Sequence, residues 1–160
     1  MQSNFRSGAV ALSLVLAMGA SAAAAAEHGH GTEEGQGPAR LQLNHGKKWE
    51  TDAPLRQGMA QLRASLGGRL KAIHQGKLSA DEARALGAEI DTAVGTIVAQ
   101  CKLEPQADAM LHLVIADLLA AAEVLQGKHP GSSSAAARKA VGALNNYGRY
   151  FADPQWKALK

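Results

Sequence analysis

Beyond Trp49 the apolar residues recur at steps of three and four, the spacing that holds one face of an α-helix together, and four such segments can be drawn. The first opens at the capping pair Thr51-Asp52, with Pro54 in the first turn, where a missing N–H costs nothing. Its seam is Leu55, Met59, Leu62, Leu66, Leu70 and Ile73, and it stops near Gly76. The second begins with Ser79 and Glu82, spaced as a capping box, and carries Leu86, Ile90, Val94, Ile97 and Cys101 in phase. The third follows Pro105 and runs through Leu111, Ile115, Leu118, Ala122 and Leu125 to Gly127, with Lys128 and His129 suited to a helix C-terminus. The fourth follows the linker Gly131-Ser132-Ser133-Ser134, with a seam of Ala137, Val141, Leu144, Gly148 and Phe151, and Pro154 marks its end.

Four helices of about 20 residues, each about 30 Å long, joined by short loops favour antiparallel neighbours. The pattern predicts an all-α fold, a single antiparallel up-down-up-down four-helix bundle over residues 51–156. No stretch alternates with period two for long enough to make a sheet, and no repeat of 20 to 50 residues is evident.

Ahead of the helical region the pattern is different. Residues 1–26 have the three-part form of a secretory signal peptide: a positive charge at Arg6, an apolar stretch from Ala9 to Met18, then small residues to Ala26. Cleavage is expected before Glu27, with the alanine run also permitting Ala22 or Ala24. The apolar stretch is short for a membrane span, and no cysteine stands at the boundary to be lipidated, so no stable membrane anchor is expected after cleavage. A periplasmic location follows. Residues 27–50 read as a flexible tether rich in Gly, His and Glu, in which His28 and His30 beside a new amino terminus are weak metal donors.

Removing the signal takes Lys+Arg from 17 to 16 against 14 Asp+Glu, so the net charge falls from +3 to +2. With aromatic content of 4% and no dense basic stripe, nucleic acid is not an expected partner. Cys101 is the only cysteine and cannot make an internal disulfide, so stability rests on a packed core.

The expected topology brings chemistry together that no local motif shows. Segments one and three begin at one end of the bundle, and segments two and four finish there. Met59, Cys101, His112, Tyr147 and Tyr150 then fall within about one third of its length. A thioether, a thiolate and an imidazole are donors suited to copper, particularly Cu(I), and Met110 could add a second sulfur. Each residue has a packing alternative: Met59 and Cys101 as core, His112 bonded to a backbone carbonyl, and the tyrosines plugging the bundle end.

The runs Thr51-Asp52-Ala53-Pro54-Leu55-Arg56-Gln57-Gly58-Met59, Cys101-Lys102-Leu103-Glu104-Pro105 leading to Asp108 and Leu111-His112, and Tyr147-Gly148-Arg149-Tyr150-Phe151-Ala152-Asp153-Pro154-Gln155-Trp156 resemble a family of small exported proteobacterial proteins labelled DnrO. The resemblance covers most of the chain after Thr51 and implies no particular activity. More distantly, the bundle is similar to periplasmic cytochromes of the b562 and c′ type, which implies a haem between helices. The sequence departs from that pattern: it lacks Cys-x-x-Cys-His, and no histidine lies near Tyr147 to Phe151.

No Gly-rich phosphate loop, nucleophile elbow or His-Glu-x-x-His helix occurs, and Asp81, Glu82, Glu89 and Asp91 lack the Glu-x-x-His arrangement of di-iron bundles, so an enzyme is not expected. Two classes of function remain: a bundle binding a soft metal or, less in keeping with the sequence, b-type haem; and a cofactor-free adaptor or stress-related interaction protein. The apolar face of segment three, from Met110 to Leu125, could serve a protein partner or be buried in a dimer.

Overall fold

The computed structural model describes residues 40–160. The expected signal peptide, most of the tether, and His28 and His30 lie outside the described residues. The fold is all-helical, with five helices and no strand among the described residues.

Helix α1 spans Ala53–Gly68 and starts where the capping pair places it: Asp52 accepts the Leu55 amide through its side chain at 2.9 Å. The expected continuation to Gly76 is interrupted at Arg69 (φ −108°, ψ 3°), and a short α2 runs from Leu70 to Gln75. The break follows Gly67-Gly68, a pair of poor helix formers, and Arg69 is held there by two bonds to Glu89 and one to the Ser65 carbonyl. The left-handed Gly76 (φ 66°) closes α2. Helix α3, Ala80–Gln100, carries the complete capping box of Ser79 and Glu82. Helix α4, Pro105–Leu125, has its proline in the first turn and is closed by the Lys128 amide donating to Glu123. Helix α5, Ser133–Tyr150, is capped by Ser132 and ends ahead of Pro154.

Helix α3 packs on α1 and α4, and α4 packs on α5, which in turn touches α1 and α2. Leu55, Leu62, Leu86, Ile90, Leu118 and Leu144 are among the side chains that fill the centre. Two glycines set the helix spacing. A β-carbon on Gly58 of α1 would lie 2.3 Å from Ile97 Cγ1 of α3, and one on Gly87 of α3 would lie 2.9 Å from the Ala122 carbonyl of α4. Among the described residues, no helix is long and apolar enough to cross a membrane.

Both chain ends of the described region pack on the helices. The stretch 41–50, expected to belong to the tether, is anchored by Trp49, which is 7% exposed. Its amide donates to Tyr150, its carbonyl accepts from Ala152, and its indole N–H donates to Gln42 at 2.7 Å. The packed region therefore reaches further toward the N-terminus than the helical periodicity indicated, because an indole with a satisfied N–H is worth burying and periodicity gives no sign of that. At the other end, Leu159 exchanges both backbone bonds with the Asn145 side chain of α5, while Arg63 of α1 donates to the Lys157 carbonyl.

Candidate binding surface

The soft donors occupy three different environments. Met59 is fully buried in the α1 seam. Cys101 is half-buried at the C-cap of α3, where the Asp52 carboxylate acts on its thiol. Burial, and then the Asp52 and Asp108 carboxylates, push that thiol up to about 12. The side chain of His112 is 64% exposed, with Nδ1 lying 2.9 Å from the carbonyl of Asp108 and 3.3 Å from its carboxylate. Cys101 and His112 thus share Asp108 as a neighbour, while Met59 is sealed in the core. Met110 is half-buried against the core. Among the described residues, no group of three or more His, Cys, Asp and Glu is placed to hold a metal ion.

Asp52 organises this end of the molecule. One carboxylate oxygen caps α1, and the other accepts the Lys102 amide at 2.6 Å, just past the end of α3. Adding the Cys101 thiol, a single carboxylate joins the start of α1 to the end of α3. A carboxylate with such partners favours the neutral thiol, the opposite of what a nucleophilic or metal-binding cysteine requires.

Tyr147 is fully buried, stacks on Phe151 at 5.4 Å and meets Trp156 edge-on at 4.8 Å. Its hydroxyl donates to Asp153 at 3.2 Å, and burial together with that carboxylate holds the phenol protonated well above its ordinary range. Tyr150 is half-buried, with the Arg149 guanidinium over its ring at 5.8 Å.

Sequence reasoning missed the surface that the 41–51 stretch creates. Asn44 and Lys47 exchange backbone bonds around a turn with His45 and Gly46 at positive φ, which lays the chain beside the α3–α4 connection. A hollow of about 640 Å³ opens between Trp49, Asp52, Leu103 and Pro105, and a second of about 530 Å³ between Leu43, Trp49 and Met110. The two share Asn44, Trp49 and Gln106 in their linings. Leu43, at their edge, is 41% exposed. The one sequence signal was Trp49 itself, a tryptophan outside every helical seam in a chain poor in aromatics.

A third hollow, about 640 Å³, lies on the other side of Glu50 and Thr51, between α1 and the segment 152–156. Arg56, Arg63 and Trp156 face it.

No protein-family model, curated protein or solved structure matches the chain. The resemblance to the DnrO-labelled family therefore rests on the residues that carry it in the sequence.

Proposed function

We propose that the chain is an exported, cofactor-free binding protein: an antiparallel up-down-up-down bundle, with α1 and α2 as one interrupted arm, that seats an extended segment of a partner protein at its Trp49 end. The observation that carries this reading is the pair of adjacent hollows that share Trp49 in their linings, with Leu43, Leu103 and Met110 offering partly exposed apolar surface along them. Contiguous exposed apolar surface next to polar backbone is where protein segments dock. Export is supported by the signal-like residues 1–26. The short connections, and the packing of α1 on α3, α3 on α4 and α4 on α5, support the antiparallel arrangement.

The soft-metal reading has one observation in its favour, the shared position of Asp108 beside Cys101 and His112. Against it, each proposed donor already has a structural role: Met59 fills the core, the Cys101 thiol serves Asp52, and His112 Nδ1 faces its own helix.

Photo-crosslinking in cells tests the partner surface. A benzophenone amino acid substituted at Leu43 or at Met110 should capture the same discrete partner, and adding Leu103→Asp should abolish that capture. The same probe at Ala99, exposed on α3, should capture nothing in common with them. Equal capture from all three positions, or capture indifferent to Leu103→Asp, would contradict the proposal.

A further inference from the structure

The hollow between α1 and residues 152–156 has a different chemistry from the Trp49 groove. Arg56 and Arg63 are both half-buried, and neither is paired with a carboxylate among the described residues. They stand two helical turns apart on α1, about 10 Å along the axis, and both line the same space. Each is fixed from behind. Arg56 Nη1 donates to the Thr51 carbonyl at 2.6 Å and to its hydroxyl at 3.0 Å, and that hydroxyl donates onward to Ala152 at 2.7 Å. Arg63 Nε donates to the Lys157 carbonyl. A guanidinium has five N–H donors, so these anchors orient both groups and leave donors over for a ligand.

Half-buried cations held by neutral acceptors bear a desolvation cost that an incoming anion relieves. The rest of the lining narrows the class of anion. Trp156, Pro154 and Ala60 give the hollow apolar wall, and Glu50 and Asp153 also lie on it. Asp153 is occupied, accepting from Tyr147 and from the Gln155 amide, whereas Glu50 is exposed at the edge. We infer that this hollow binds a small polycarboxylate, with one carboxylate on each of Arg56 and Arg63 and the carbon skeleton against Trp156. Glu50 works against the ligand and limits its affinity. The site uses residues apart from those of the partner groove, except Glu50 and Thr51 at the shared wall.

Calorimetric titration of the signal-free chain with citrate tests it, with acetate and inorganic phosphate as comparison anions. Citrate should bind one to one with a Kd of about 1 mM or tighter, at least tenfold more strongly than acetate or phosphate. Arg63→Gln should weaken citrate at least tenfold, and Arg56→Lys, which keeps the charge and loses the fork, should weaken it about threefold. Glu50→Gln should tighten it about threefold, an outcome that arginines serving only to hold the C-terminal segment would not produce. Absence of saturable citrate binding in the wild-type chain would overturn the inference. So would phosphate binding equal to citrate, or Glu50→Gln and Arg56→Lys both binding as wild type. Because Glu50→Gln alters an exposed side chain, it remains informative even where Arg63→Gln fails to fold.

Discussion

Asp52 joins two helices through one side chain, because its two oxygens serve the first turn of α1 and the amide after α3, and its charge acts on the Cys101 thiol. Losing an N-cap costs about 1 kcal/mol, and losing the charge-assisted bond to the exposed Lys102 amide costs up to about the same. Asp52→Ala should therefore lower the melting temperature by roughly 10 °C. The cysteine gives the same junction a pH signature. Its folded pKa lies near 12 against an ordinary 9.0, so its contribution is fully present below pH 9 and is lost as the pH rises toward 12. Tyr147, also raised, adds to the loss at still higher pH. Urea melts across that range should show stability falling with pH, with a shallower fall in Cys101→Ala. At pH 8 the wild-type thiol should react with iodoacetamide far more slowly than a free cysteine. The sequence placed Cys101 on the buried face, but its partner is 49 residues away in the chain, and no spacing rule joins a cysteine to an aspartate across a bundle end.

At the scale of the elements, helix ends were the most legible feature. Asp52, Pro54, the Ser79/Glu82 box, Gly76 and Pro105 all act at the positions their local chemistry indicates, since a cap or turn depends on its immediate neighbours. The break at Arg69 was not legible, because Leu66, Leu70 and Ile73 keep their phase through it and only Gly67-Gly68 and a distant Glu89 reveal it. Glycines separate into two kinds that the sequence does not distinguish. Gly58 and Gly87 sit where helices nearly touch, while Gly95 and Gly142 face open space on helix surfaces. Gly95→Ala and Gly142→Ala should each stabilise the fold by about 0.5–1 kcal/mol. Gly58→Ala and Gly87→Ala should each destabilise it by about 1–3 kcal/mol through forced displacement of the facing helix. Chemical denaturation of the four variants would show the split in sign; stabilisation at Gly87, whose near neighbour is backbone, would be the hardest result to reconcile with the packing.

At the scale of the whole molecule, the all-α class and core seams were readable from periodicity, but the candidate surface around Trp49 was not. It is assembled from residues 42–52 and 102–110 and held by the backbone bonds of Trp49 to Tyr150 and Ala152, which leave no mark on residue type. The same contacts anchor the N-terminal end of the described region. Deleting residues 1–39 should leave the melting temperature nearly unchanged, whereas Trp49→Ala in the full chain should cost about 3–5 kcal/mol; calorimetry on the two variants checks both. Topology also brings the sulfur and imidazole donors into one region, and there the orientation of side chains decides, with Met59 inside, His112 outside and the Cys101 thiol held neutral by burial and the Asp52 carboxylate. Under the proposed cofactor-free reading, these donors serve the fold. A Cu(I) competition titration on chain lacking residues 1–39 tests it most directly. Wild type and Cys101→Ser should compete equally poorly with the chelator. Stoichiometric Cu(I) binding by wild type that Cys101→Ser and His112→Ala each abolish would contradict it.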